Sequence, residues 1–312
     1  MRRLRLITEL IVFSTRSRAR NFWPDRIREV GMKRIWVLFF GCFVVFATTA
    51  FGQTLKSRWA KFDSAKVHYY DVGKNNKKAL ILIHGWTCNA DFWKDSYSAF
   101  PEYRVIAIDL PGHGQSDKPK VDYTMEYFAK SIEAVMKDAG VKQAVLAGHS
   151  MGTPVIRQFY RLYPQKTLGL VIVDGALRPF GPKAEMDKFF EPLLMNYKER
   201  APKFIDGLLG PTRDDLKPSI RSTMLSAPDY VAASAMRGML DDSIWTNDPI
   251  KVPVLAVMAE TPWPKDNADI YKTIAPNLEY LRWTGVSHFL MMEKPKEFND
   301  VVRSFIAKQK LL

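Results

Sequence analysis

Ala147-Gly148-His149-Ser150-Met151-Gly152-Thr153, or AGHSMGT, is the stretch whose reading decides the fold. The apolar run QAVL precedes it and PVIRQFYRLY follows it, so a strand gives way to a helix at the serine. A serine held on so sharp a turn needs a strained backbone. Glycines two residues before and two after remove the side chains that would collide there. The turn lifts the serine oxygen above the sheet edge. It also sets the N–H of Met151 at a helix N-terminus, where developing negative charge is stabilised. Ordinary turns also contain serine and glycine, so the weight of the pattern rests on its flanks.

Those flanks extend along most of the chain. Apolar runs of strand length fall at 66–72, 79–85, 103–110, 143–148, 168–175, 252–260 and 278–285. Several are continuous rather than alternating, as in strands buried on both faces. Helical periods lie between them. Phe128, Ile132, Val135 and Met136 form one apolar stripe in 124–139, and Phe298, Val301, Val302, Phe305 and Ile306 form another in 294–309. The alternation predicts a doubly wound, mostly parallel α/β sheet. The rhythm stops over about 178–248, a stretch rich in Met, Phe, Leu, Pro and charge. That interval predicts a helical cap inserted before the penultimate strand, over the carboxyl ends of the strands where open α/β sheets place their sites.

Over roughly 60–312 the chain resembles the α/β-hydrolase superfamily, in its serine-nucleophile, esterase- and lipase-like branch. Four segments in order carry the resemblance: LIHGWTCNADFW (82–93), IDLPGHGQSD (108–117), the AGHSMGT turn, and GVSHFLMMEKPKEF (285–298). The resemblance implies Ser150 as nucleophile, and an oxyanion hole made of the backbone N–H groups of Trp86 and Met151. A serine needs an adjacent base. Of the five histidines only His288 follows Ser150, and the family order is serine, acid, histidine. His288 is therefore the expected base. His84 is expected to support the oxyanion loop and His113 the adjacent turn. His149 reads as the variable residue of the elbow, and His68 takes no role. Trp86, Trp93 and the Met-rich insertion are expected to wall the pocket.

The third member departs from the usual pattern. Most relatives carry the acid just after the penultimate strand, in a segment like Gly-Glu-x-Asp; here that segment is VMAETPWP, with Glu260 in the Glu place and Pro262 where the Asp belongs. Some relatives place the acid after the preceding strand, which in this chain is Asp174. Asp174 is the leading candidate and Glu260 the alternative, with Asp266 and Asp269 behind them.

Composition sets the limits. A 312-residue chain with 47% hydrophobic and 25% charged residues supports a sizeable core and excludes general disorder. The net charge of +13 does not point to nucleic acid. Ten of the 46 Lys and Arg, against three of the 33 Asp and Glu, fall within residues 1–52, and the remaining surplus is spread over a large domain. MKRIWVLFFGCFVVFATTAFGQ, from Met32 to Gln53, has a basic start, an apolar run of about a dozen residues and a small-residue end. That is the layout of a secretory signal peptide over 32–52, too short for a membrane span of about 20 residues. Residues 1–31 then read as an upstream extension and 53–312 as the mature hydrolase domain, periplasmic or extracellular, membrane-anchored only if the segment stays uncleaved. Cys42 lies within the apolar run, which leaves Cys88 as the sole cysteine after cleavage and no intramolecular disulfide.

A serine nucleophile excludes the dehalogenation and epoxide opening that use a carboxylate nucleophile. The resemblance implies an exported hydrolase of a small or medium hydrophobic carboxylic ester, acting without cofactor or metal and with activity rising as His288 loses its proton. Hydrolysis of a carbon–carbon bond, an amide or a lactone, and cofactor-free perhydrolysis, would use the same residues. A ligand-binding protein on a hydrolase scaffold is the reading from another class, motivated by the displaced acid.

Overall fold

The computed structural model describes residues 55–260 and 268–312. The expected extension over 1–31 and signal peptide over 32–52 lie outside the described residues. Eight strands form one sheet in the order β1-β2-β4-β3-β5-β6-β7-β8. They are β1 (Lys56–Phe62), β2 (Ala65–Val72), β3 (Lys78–Ile83), β4 (Val105–Ile108), β5 (Gln143–His149), β6 (Thr167–Val173), β7 (Val254–Ala259) and β8 (Leu278–Trp283). β1 and β2 pair antiparallel, β2 joins β4 antiparallel, and β3 to β8 run parallel. The strand order reverses at β3, between β4 and β5, and a crevice opens at such a switch point beyond the carboxyl ends of the strands.

The continuous apolar runs are the central strands. Leu80, Ile81, Ile83, Val145, Leu146, Val171 and Ile172 are each 0% exposed, because helices cover both faces of the parallel part. β1 has no counterpart in the sequence reading. Three of its seven residues are basic and only Ala60 and Phe62 are buried, so an edge strand gives little apolar signal. The amphipathic helices form as their stripes predict. In α1 (Met125–Ala139) Phe128, Ile132, Val135 and Met136 face the core; the Thr124 side chain caps its first turn and Gly140, at φ +70°, ends it. α2 (Gly152–Leu162) follows the serine turn.

Between β6 and β7 the chain makes helices only: α3 (Lys183–Met195), α4 (Tyr197–Leu209), α5 (Lys217–Leu225) and α6 (Asp229–Met239). Prolines punctuate them, with Pro182 and Pro228 at N-caps and Pro218 in a first turn. The insertion is held at both ends by one side chain. Arg157, on α2 and 1% exposed, donates from Nη1 to the carbonyl of Leu177 at 2.5 Å and from Nη2 to the carbonyl of Thr246. Arg161, one turn later, pairs with Asp248 at 2.7 Å. The chain closes with α7 (Ala268–Ile274), α8 (Leu290–Glu293) and α9 (Pro295–Lys308), whose Phe298, Val302, Phe305 and Ile306 are buried. Among the described residues no helix is long and apolar enough to cross a membrane.

Candidate active site

Three parallel strands deliver the candidate residues to one edge of the sheet. β5 runs directly into Ser150, which sits at φ +53°, a conformation that a non-glycine residue holds only when its surroundings enforce it. Its N–H donates to the carbonyl of Val173 at 2.9 Å, and its own carbonyl accepts the N–H of Thr153 at 2.9 Å. The glycines answer to packing. A Cβ on Gly148 would lie 2.3 Å from the carbonyl oxygen of Gly152, and one on Gly152 would lie 2.7 Å from that of Ile83. Ser150 is half-buried, and its side chain makes no hydrogen bond to a described residue.

Asp174 is the first residue after β6 and also has positive φ, +43°. Its N–H bonds the carbonyl of Val257 at 2.9 Å, and its Oδ1 accepts the N–H of Ala259 at 2.9 Å. The other oxygen, Oδ2, lies 2.6 Å from Nδ1 of His288, on the loop between β8 and α8. An ionised carboxylate only accepts, so Nδ1 carries the proton and Nε2 keeps its lone pair. The His288 ring stands 4.7 Å from that of His149, the residue before Ser150. Glu260 lies elsewhere: its half-exposed side chain faces Arg282 at 3.6 Å. Asp269 is 99% exposed near Lys272, and Asp266 lies outside the described residues. Among the described carboxylates, Asp174 is the one that meets His288.

The loop after β3 passes against the serine. A Cβ on Gly85 would lie 3.1 Å from that of Ser150. The backbone N–H groups of Trp86 and Met151 donate to no described residue, which leaves both for a ligand. His84 fixes this loop. Its Nδ1–H donates to the carbonyl of Gly85 at 2.8 Å and its Nε2 accepts the N–H of Leu110 at 3.1 Å. Complete burial lowers its pKa and keeps it neutral. His113 bonds the carbonyl of Pro111 at 3.0 Å, and burial pushes its pKa down to about 3.

The insertion rests on this loop. The Trp86 indole N–H donates to the carbonyl of Ala232 at 2.8 Å, and its ring meets Tyr197 and Phe204 edge-on. Trp93 differs from expectation: it is 1% exposed and packs against Phe298 of α9, a core residue rather than a pocket wall. Two further residues hold the base loop. His149 donates from Nε2 to the carbonyl of His288 at 2.8 Å, so the residue read as variable holds the loop of the candidate base. The buried Glu293 carboxylate accepts the N–H of Ser287 at 2.6 Å and that of Arg213 at 2.9 Å, tying the base loop to the insertion. Glu293 stands inside the GVSHFLMMEKPKEF segment, but a lone glutamate there gives no sequence signal of what it holds. Among the described residues no group of three or more His, Cys, Asp or Glu is placed to hold a metal ion.

The alpha/beta hydrolase fold model matches residues 78–216. An uncharacterized protein of Mycobacterium tuberculosis is 26% identical over 257 residues, 73% of this chain and 75% of the relative. The 2-hydroxy-6-oxononadienedioate/2-hydroxy-6-oxononatrienedioate hydrolase of Paraburkholderia phymatum is 25% identical over 270 residues, 78% of this chain and 91% of that protein. Among solved structures, the malate-bound thermophilic esterase of Thermogutta terrifontis superposes with a TM-score of 0.70 at 23% identity, over 82% of this chain and 99% of that one. Sheet order and the match over residues 78–216 agree: the chain has the alpha/beta hydrolase fold.

Proposed function

We propose that this hydrolase cleaves a small or medium hydrophobic carboxylic ester through an acyl-enzyme on Ser150. The observation that carries the reading is the 2.6 Å contact of His288 Nδ1 with Asp174, beside a serine held at positive φ. Ser150 Oγ attacks the acyl carbon and passes its proton to His288 Nε2. Asp174 stabilises the resulting imidazolium and fixes its tautomer. The N–H groups of Trp86 and Met151 receive the oxyanion, an interaction that strengthens as charge develops. His288 then protonates the leaving alcohol, and water repeats the sequence to release the acid. The hydrogen bond from Ser150 to His288 closes in the substrate complex, as such bonds often do when the ligand-free site holds them loosely. The aromatic contacts of Trp86 with Tyr197 and Phe204, where the insertion meets the loop after β3, support an apolar acyl or alcohol group.

The layout of residues 32–52 supports export, with 53–312 as the mature domain. N-terminal sequencing of the protein from cell fractions tests that part: Gln53 or Phe51 at the start supports it, and an intact leader in the cytosol opposes it.

The chemistry is tested by adding a fluorophosphonate to the purified chain and reading the intact mass beside a Ser150→Ala control. Rapid stoichiometric labelling that disappears in the control supports the reading. Folded protein that stays unlabelled at Ser150 makes the scaffold a binding protein instead. Ester, thioester, amide, lactone and β-diketone panels then separate the carbon–carbon hydrolase, amidase and lactonase alternatives, and a peracid assay separates the perhydrolase.

A further inference from the structure

A second serine, histidine and aspartate stand in line at the opposite, antiparallel end of the sheet. Ser57 Oγ on β1 lies 2.8 Å from Nε2 of His68 on β2, and His68 Nδ1 lies 2.8 Å from Oδ2 of Asp109, just after β4. These are the relations of nucleophile to base and of base to orienting acid. The inner members are pre-set. His68 is 0% exposed, and its ring is held between Trp59 at 4.9 Å and Tyr70 at 4.8 Å. Asp109 accepts the N–H groups of Ala90 at 2.7 Å and Gln115 at 2.9 Å, which fix the carboxylate and favour its ionised form. With Asp109 accepting, His68 carries its proton on Nδ1 and presents a lone pair to the Ser57 hydroxyl. Ser57 itself is exposed. Trp59, which touches the His68 ring, also lines a surface cleft of about 730 Å³ with Lys61, Asp63, Lys66 and Asp117.

We propose that Ser57, activated by His68 and Asp109, is a second nucleophile of this protein and accepts an acyl or phosphonyl group from an activated ester or fluorophosphonate. Ser57 Oγ bonds to the carbonyl carbon or phosphorus as its proton moves to His68 Nε2. The bond to the leaving group breaks, and the leaving group departs with its electron pair. A phenoxide takes the proton back from His68; a fluoride leaves as the ion, and the proton passes to solvent. Ser57 sits within a regular strand, with no strained turn and no helix N-terminus behind it to receive an oxyanion. Loss of a single oxyanion donor costs about 10²–10³ in rate. Acylation at Ser57 is therefore slow, and so is the hydrolysis that would clear it, and the adduct accumulates. His68 gives no sequence signal of a role, because its serine and its acid come from different strands, 11 and 41 residues away.

The test uses the full chain carrying Ser150→Ala, so that its outcome is independent of the site on β5. The protein is incubated with excess fluorophosphonate and, separately, with p-nitrophenyl acetate, and adducts are located by peptide fragmentation. Ser64, exposed in the hairpin between the same two strands, is the internal control. The expected result is an adduct at Ser57 forming at least about a hundredfold faster than at Ser64, the low end of the 10²–10⁴-fold given by a positioned base. His68→Phe keeps a ring between Trp59 and Tyr70 and removes the base. In that variant the Ser57 rate should fall to that of Ser64. Equal rates at Ser57 and Ser64 in the Ser150→Ala chain would overturn the proposal, and this comparison stands even where the His68 variant does not fold. A Ser57 rate unchanged in a folded His68→Phe chain would overturn it equally.

Discussion

Asp174→Asn separates the two candidate acids. The N–H of Ala259 needs an acceptor, and Oδ1 of residue 174 supplies it at 2.9 Å. The asparagine oxygen therefore stays in that position, and the amide nitrogen takes the place of Oδ2, 2.6 Å from His288 Nδ1. A donor there cannot accept the Nδ1 proton. His288 shifts its proton to Nε2, the atom that has to receive the proton of Ser150. The equivalent change in a serine protease lowers kcat about 10⁴-fold. At 1.36 kcal/mol per decade this is about 5.4 kcal/mol of lost transition-state stabilisation. Folding changes little, because the backbone anchors and one of the two side-chain bonds persist. Glu260→Gln alters only a half-exposed partner of Arg282 and should leave kcat within about twofold, as for other surface pairs. The assay is kcat on p-nitrophenyl butyrate, with a thermal melt of each variant to show that it is folded. An Asp174→Asn enzyme that keeps more than a tenth of its kcat, or a Glu260→Gln enzyme that loses as much, would refute the assignment.

Other consequences concern folding. Gly148→Ala drives a Cβ to 2.3 Å from the carbonyl oxygen of Gly152 and should cost about 3 kcal/mol, the upper part of the usual overpacking range, read as a lower urea midpoint. Gly207→Ala, within α4 where a Cβ meets nothing within 4 Å, should instead add about 0.5–1 kcal/mol of stability, read as a higher midpoint. Arg157→Met leaves the carbonyls of Leu177 and Thr246 without their donor. A loss on the order of 3 kcal/mol is expected, with faster proteolysis inside 178–248; unchanged cleavage there would show that Arg157 does not hold the insertion. Burial lowers the pKa of His84, His113 and His149 from the ordinary 6.5, to about 3 for His113. The unfolded chain then takes up these protons first. Stability is full above about pH 6.5 and falls as the pH drops from there toward the folded-state values, at up to about 1.4 kcal/mol per pH unit for each histidine. Urea melts from pH 7 to pH 4.5 measure the slope, and a flat profile would mean that these rings are not buried neutral.

The sequence by itself determined the parts that local chemistry encodes. The two-residue spacing of Gly148, Ser150 and Gly152 named the turn. The unbroken apolar runs named a sheet covered on both faces, and the stripes of α1 and α9 named their buried sides. Position in the chain, taken with the serine, acid, histidine order that the resemblance implies, singled out His288, since no other histidine follows the serine. The basic, weakly apolar edge strand β1 escaped for the complementary reason: with one edge unpaired and few buried side chains, it needs no pattern. The meeting of Asp174 with His288, the supports of the His288 loop and the hold on the insertion were decided only in three dimensions. Asp174 and His288 are 114 residues apart, and Glu293 and Arg213 are 80 apart. Each such pair depends on which strand ends lie side by side, and strand order is a property of the folded sheet. Sequence lists carboxylates that could serve, but a hydrogen bond of 2.6 Å is a statement about distance, and distance between remote residues is set by packing.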